Sequence, residues 1–378
     1  MATIVPVEGK RGKRYQVRYR APDGRSRRKH FDRLQSARDF VASVEDARRR
    51  GTYVEDRHGR QTLEAWWGEW WPTCVGLRPS SRARDEVYWR CHIRPAFGDV
   101  ALARIEHQQV RAWLARLTTP KPDGAGLAPA SAAKALQVLR KCLAGAVRAR
   151  RIPHDPTEGI TPPKVEHQEM RFLDPDEIAT LADAIDPRYR SFVLVGAYGG
   201  LRLGELAALR RHRVDLLRRG VDVVETLVEV RGHHAVNPPK TKAGRRWVPL
   251  PRFVVDELDG HVAGIEGDGL VFPSPDGHYM RQSAFRRRVW LPALKRADLG
   301  HLRIHDLRHT AVSLWIATGA DPKQITTWAG HRSVVTLFDR YGHLLRREHD
   351  DVTDRLDALA RAARAAPSAD VVELRRNG

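Results

Sequence analysis

Between Thr62 and about Lys164 the apolar residues of this chain recur at helical spacing, and a run of that length bounded on both sides is a helical module in its own right. Leu63, Trp66, Trp67, Trp70 and Trp71 open it, and further helices are expected near residues 81–92, 107–117 and 130–150. The tryptophan pairs belong to its core. Residues 120–126 form a loop, Arg151 to Pro156 stops the last helix, and Pro162-Pro163-Lys164 begins a linker.

What precedes this module has another period. The first 60 residues hold 17 Lys or Arg against 8 Asp or Glu, so they carry +9 of the chain's formal +20 in under a sixth of its length. Tyr15, Val17 and Tyr19 alternate with Arg14, Gln16, Arg18 and Arg20, as in a half-buried strand, and Pro22-Asp23-Gly24 is a turn signal. Strands are also expected over 3–7 and 26–31. Leu34, Ala37, Phe40, Val41, Val44 and Ala47 then recur at helical spacing, with Gly51 suited to the helix end. The segment 1–58 is thus a small sheet plus a helix. Its outward arginines, Arg14, Arg18, Arg20, Arg27 and Arg28, could enter a DNA groove as a β-ribbon does; a merely solvated charged face is the other reading.

A third module begins near residue 170. Asp174 is a helix cap, Pro175 the first helical residue, and Glu177 is placed to close a capping box. Its helices alternate with one strand pair, 221–231 and 247–250, around a polar loop, 232–246. The fold class is therefore multidomain and mostly α with small β-sheets (α+β), divided as 1–58, 62–164 and 170–378. Beyond residue 345, Val352, Leu356, Leu359, Ala360 and Ala363 recur at helical spacing and Val371 to Leu374 reads as a strand, an apolar tail that must be buried on its own domain or on a neighbouring copy.

Charge sets the class of partner. A formal +20 and a pI near 10.5 draw polyanions, nucleic acid first. Arginine outnumbers lysine by 55 to 11; GC-rich coding accounts for the larger share of that bias, yet each guanidinium still forks onto phosphate oxygens as an ammonium cannot. The odd set of Cys74, Cys91 and Cys142 fits a reducing compartment and no metal knuckle. Residues 1–10 lack the apolar core of a signal peptide, and the longest apolar stretch, 191–209, is broken by Arg202 and Glu205, so no membrane span is expected.

The residues suited to chemistry lie in the third module. Arg202, in Gly199-Gly-Leu-Arg-Leu-Gly-Glu-Leu206, falls between one helix end and the next helix start, where its guanidinium can leave the core; an ordinary pair with Glu205 is the alternative. In His305-Asp-Leu-Arg-His-Thr310, His305 and Arg308 lie one helical turn apart on one face. The i, i+4 pair His305 and His309 could suggest a metal, but the HExxH glutamate is missing. Gly330-His331 follows, and then Tyr341 within Phe338-Asp-Arg-Tyr-Gly-His343.

In that order and at those separations, Arg202, the His305/Arg308 pair, His331 and Tyr341 resemble the signature of the tyrosine site-specific recombinases of the phage integrase family. The resemblance is strong over 170–345, moderate over 62–164, which is similar to the helical core-binding domain, and weak over 1–58, which is similar to the arm-binding domain of three-domain, actinobacteriophage-like integrases. Lys240-Thr-Lys-Ala-Gly-Arg-Arg-Trp-Val-Pro-Leu250 resembles the family's lysine hairpin, with Lys240 aligning better than Lys242. Gly244 stands where a serine is common, and Trp328-Ala329 where larger aliphatics are usual.

The resemblance implies that Tyr341 attacks a phosphodiester to hold DNA as a 3′-phosphotyrosine, that Arg202 and Arg308 clamp the phosphoryl oxygens, that Lys240 protonates the leaving oxygen, that His305 helps take the tyrosine proton, that His331 hydrogen-bonds the phosphate, and that Glu205 supports the arginines. It implies no cofactor and no metal. It implies double-stranded attachment sites, a homotetramer on DNA, a host DNA-bending protein and an excisionase as partners, and a place in the host bacterial cytoplasm at the nucleoid. A type IB topoisomerase or an inactive DNA-binding regulator on the same scaffold are the competing expectations.

Overall fold

The computed structural model describes residues 2–9, 12–20, 26–49, 53, 59–165, 170–239, 242–331, 333–345, 354 and 356–361. It divides into two compact units, residues 1–167 and 168–378.

In the first unit, β1 (Thr3–Gly9), β2 (Gly12–Arg20) and β3 (Ser26–Phe31) make an antiparallel sheet in sequence order. Helix α1 (Leu34–Arg49) covers one face, burying Val17, Ala37 and Val44 and setting Phe40 edge-on to Tyr19 at 5.4 Å. Arg18 pairs with Arg28 across the strands, so these two share the other face with Arg14 and Arg20. Arg27 pairs with Tyr19 and therefore lies on the helix side, because side chains alternate with a period of two. The arginine row expected from sequence is thus four residues on one face, with Arg27 on the opposite one.

The helical part of this unit contains α2 (Leu63–Thr73), α3 (Pro79–Tyr88), α4 (Arg94–Phe97), α5 (His107–Thr118) and α6 (Pro129–Arg148). Its core is aromatic: Trp67 stacks on Trp89 with ring centroids 4.3 Å apart. The buried indoles also satisfy their N–H groups, Trp66 donating to the Cys142 carbonyl at 3.0 Å and Trp113 to that of His92 at 3.1 Å. Between α3 and α4 the chain makes one wide turn, Trp89–Ile93, in which Arg94 N–H reaches back five residues to Trp89. Pro95 explains it. A proline ring clashes with the carbonyl four residues before it, and widening the turn relieves the clash without ending the helix. Pro292 follows a second such turn, Arg286–Trp290, in the same way.

The second unit starts as the sequence indicates: α7 (Pro175–Ala184) is capped by Asp174, whose carboxylate accepts from Glu177 N at 2.8 Å while Glu177 accepts from Asp174 N at 3.1 Å. Helix α8 (Arg190–Gly199) is buried nearly all round, with Phe192, Val193 and Val195 fully enclosed. The β-structure is richer than the one strand pair expected. Residues 221–231 divide into β5 (Gly220–Val223), which with β4 (Val214–Asp215) and β8 (Arg246–Pro249) forms one sheet, and β6 (Thr226–Val230), which pairs with β7 (His233–Asn237). Strand β7 lies inside what reads as polar loop, because His-His-Ala-Val-Asn buries little. The β6–β7 turn has positive φ at both Arg231 (52°) and Gly232 (80°), the primed geometry that suits a two-residue hairpin but is seldom announced by arginine.

The remaining helices are α10 (Arg252–Val262), α11 (Gln282–Phe285), α12 (Leu291–Arg296), α13 (Asp306–Ala317), α14 (Pro322–Ala329) and α15 (Val334–Leu345), and α9 (Leu203–Leu206) is a single turn after α8. Of the tail, residues 356–361 are helical with Leu356 and Leu359 exposed; the strand expected at 371–374 lies outside the described residues. No described helix is long and apolar enough to cross a membrane.

Candidate active site

Two glycines in the left-handed region bring separate segments together. Gly200, at φ 63°, ends α8, and a Cβ there would come within 2.8 Å of Trp315 and 3.1 Å of Ala311 on α13, so the close α8–α13 approach needs a glycine as much as the turn does. Its carbonyl accepts Arg308 Nη1 at 2.7 Å. Gly330, at φ 60°, ends α14 in the same way, and its carbonyl accepts Arg202 Nη2 at 3.2 Å. His331 is the next residue.

Arg202 caps α9, and Glu205 folds back onto it, Oε2 accepting Arg202 N and Oε1 accepting Arg202 Nη1, both at 2.8 Å. His305 immediately precedes α13, and Arg308 follows one turn on. Arg308 is 3% exposed and also donates Nη2 to the Ala329 carbonyl, so it is fixed between α8 and α14. Arg202, His305, Arg308 and His331 line one cavity of about 580 Å³, which Thr336 and Arg340 of α15 border. His331 Nδ1 is buried there with no hydrogen-bond partner among the described residues.

The electrostatics are those of a crowded cationic pocket. Burial first, and then the neighbouring positive charge, pushes His305 down to about 4 and His331 to about 3, so both rings are neutral at pH 7. Burial, with Arg202 next, pushes Arg308 down to about 9, which leaves it cationic. Burial alone would raise Glu205; Arg246 and Arg202 outweigh it and hold the carboxyl at about 2.

Tyr341 is placed differently. Leu337, Tyr341 and the half-buried Leu344 form the inner stripe of α15, packed with Val312, Ile316 and Ile325. Tyr341 is 1% exposed and is not part of the cavity wall, although Arg340 beside it is. Its hydroxyl lies 2.5 Å from His309 Nδ1, and burial raises its pKa. His309 is itself pushed down to about 4 by burial and stands edge-on to His305 at 4.9 Å. The tyrosine's hydrogen-bond partner is thus His309, where the sequence points to His305. The signal was present, since the two histidines share a face at i, i+4. Arg246 was likewise missed; it is buried in β8 and forks onto Glu205. Lys240 lies outside the described residues, while the adjoining turn, Lys242–Gly244, brings Gly244 to the cavity.

Three arginines and two neutral histidines around a cavity, with a phenol on the bordering helix, are a donor set suited to an anionic phosphodiester, and this site follows a helical module in the chain. The Phage integrase family profile matches residues 171–348, and that of the Phage integrase N-terminal SAM-like domain matches residues 62–118. The chain is 28% identical over 365 residues, 92% of its length and 93% of the relative's, to the protein assigned as integrase of prophage phiRv2 in Mycobacterium tuberculosis. It shares its fold with the Tn1549 transposon integrase in complex with transposon right end DNA (TM-score 0.65, 16% identity, 79% of this chain and 100% of that one). The same holds for a lambda integrase tetramer bound to a Holliday junction (TM-score 0.55, 18% identity, 87% of this chain and 92% of that one). The chain belongs to the phage integrase family of tyrosine recombinases and is a site-specific recombinase, an enzyme that cleaves and rejoins DNA.

Proposed function

We propose that the chain is an integrase that inserts or excises phage or mobile-element DNA through a 3′-phosphotyrosine formed on Tyr341. The observation that carries this is the convergence of Arg202, His305, Arg308 and His331 on one cavity, bordered by the helix that bears Tyr341. Arg202 and Arg308 grip the non-bridging oxygens of the scissile phosphate, and His331, which lines the same cavity, hydrogen-bonds the same group. The tyrosine oxygen forms its bond to phosphorus as the bond to the 5′ oxygen breaks. Neutral His309, bonded to the hydroxyl, takes its proton with His305 behind it, and Lys240 protonates the departing 5′ oxygen. The phosphotyrosine conserves the bond, so rejoining consumes no nucleotide.

Residues 62–164 serve as the core-binding domain, residues 170–378 as the catalytic domain, and residues 1–58 as a module for separate arm sites, gripping phosphates through Arg14, Arg18, Arg20 and Arg28. The partners are double-stranded attachment sites, a homotetramer on DNA, as in the lambda integrase structure, and a bending protein and an excisionase; the setting is the host bacterial cytoplasm at the nucleoid. A nicked core-site duplex tests the reading, because loss of the leaving strand prevents religation. A covalent protein–DNA adduct is expected, and its absence under conditions that support DNA binding overturns it.

A further inference from the structure

Arg246 uses four of its five N–H groups inside the protein, on three separate segments. Nε donates to the Trp328 carbonyl at 2.6 Å, Nη1 to the Gly244 carbonyl at 3.0 Å and to Glu205 Oε1 at 3.1 Å, and Nη2 to Glu205 Oε2 at 2.9 Å. Its side chain is 2% exposed and is not part of the cavity wall. The three segments each lead to a different part of the site. Glu205 belongs to the turn capped by Arg202, Gly244 to the turn that adjoins the lysine hairpin, and Trp328 to the last turn of α14, which delivers His331. The last of these is seated on the guanidinium itself, since a Cβ on Gly330 would lie 3.2 Å from Arg246 Cδ and Nη1.

Glu205 is saturated by this arrangement. Oε1 accepts from Arg202 Nη1 and Arg246 Nη1, and Oε2 from Arg202 N and Arg246 Nη2. Arg246 is thus the counter-ion that leaves Arg202 free to share itself with an incoming anion. Without Arg246, the buried carboxylate would have Arg202 as its remaining ionic partner and would draw that guanidinium in from the cavity.

We infer that Arg246 is a positioning residue, which holds the α9 turn, the Lys242–Gly244 turn and the His331 end of α14 in one register so that they close on the same phosphate. The inference rests on the reading that the cavity receives the scissile phosphate. The alternative is an ion pair that serves stability alone.

The two separate on three variants, each measured for thermal unfolding, core-site affinity and rate of adduct formation on the nicked duplex. Arg246→Met leaves a buried carboxylate half-paired and is expected to lose both stability and cleavage. Glu205→Met/Arg246→Met replaces the whole pair with apolar side chains and should regain most of the stability, yet form adduct about a hundredfold or more below wild type. Arg246→Lys keeps the charge and loses the fork, so it should bind core-site DNA as wild type but form adduct at least about tenfold more slowly. Wild-type adduct rates in Arg246→Lys, or recovery of cleavage along with stability in the double variant, overturn the positioning role. If the wild-type chain forms no adduct, the reading of Tyr341 fails and the positioning role fails with it; an adduct in wild type that returns in the double variant removes the inference alone.

Discussion

Tyr341→Phe separates chemistry from stability at one position. The substitution keeps the ring, which packs against Val312, Ile316, Ile325 and Leu337, and removes the oxygen, so no cavity larger than a hydroxyl is created. What is lost is the 2.5 Å hydrogen bond to His309, whose Nδ1 is then left without that partner. A neutral hydrogen bond contributes about 0.5–1.5 kcal/mol, and an orphaned buried acceptor costs about 1–3 kcal/mol, so a loss of about 1–2 kcal/mol is expected. That corresponds to roughly 2–8 °C in the melting temperature of a unit this size. Tyr341→Ala would instead empty a core site at about 3–5 kcal/mol. Adduct formation on the nicked core site should vanish in Tyr341→Phe while core-site affinity in a gel shift stays within about twofold, since the ring is buried away from the cavity wall. A surviving adduct, or one that maps by peptide sequencing to Tyr279 or Tyr198, would refute the assignment. A destabilisation as large as that of Tyr341→Ala would refute the account of what the hydroxyl does.

Acid should weaken the DNA-free protein before any carboxylate titrates. His305 and His309 sit at about 4 and His331 at about 3 in the folded state, against about 6.5 unfolded, so the unfolded chain binds more protons across that window and stability falls as pH falls through it. Glu205, held at about 2, adds a further loss below its unfolded value of about 4.5; a melting temperature that does not change between pH 7.5 and 5 would show that the histidines are not held neutral. Lys240→Ala should block cleavage more than Lys242→Ala, and a sulfur in place of the leaving 5′ oxygen should rescue it, because a thiolate departs without a proton; equal loss without rescue removes Lys240 as the acid. Deleting residues 1–58 should leave cleavage of isolated core sites intact and end integration, with a shallower salt dependence of DNA binding, about one unit of slope per lost phosphate contact; unchanged integration refutes an arm-binding role.

How much of this was legible follows from where each signal resides. The capping box at Asp174 and Glu177 could be read because it is local, three residues wide, and its residue types have few other uses. The strand over Ser26–Phe31 could be read because one sheet face is covered by α1 and the period of two survives. Strand β7 could not, since its inner positions are His234 and Val236, half-buried, and its turn uses arginine where asparagine would announce it. The cavity residues were readable only as an ordered set: singly, each has a commoner fate on a surface or in a core. Arg246 and His309 lay inside motifs already singled out, yet their roles depend on partners 41 and 32 residues away, and no pattern along the chain states that Glu205 needs a second guanidinium or that Tyr341 turns inward.

The inward turn and the charge of the cavity bear on the same question. Arg202, Arg308 and Arg340 line the cavity and Arg246 stands behind it, against the carboxylates of Glu205 and Glu229, so positive charge is in excess there. That excess adds to burial, the larger cause, in depressing Arg308 to about 9 and keeping the histidines neutral at pH 7. Such a pocket is least comfortable when empty. A phosphodiester brings one negative charge and relieves part of the repulsion; the pentavalent species formed on tyrosine attack carries more and relieves it further, which is the differential stabilisation that catalysis requires. The protein keeps the donors in place by burial and by carbonyl contacts on Gly200, Ala329 and Gly330, so little reorganisation is left for the reaction itself. On the proposed mechanism the phenol must leave its bond with His309 before it can reach a phosphate in the cavity, whose wall Tyr341 does not form.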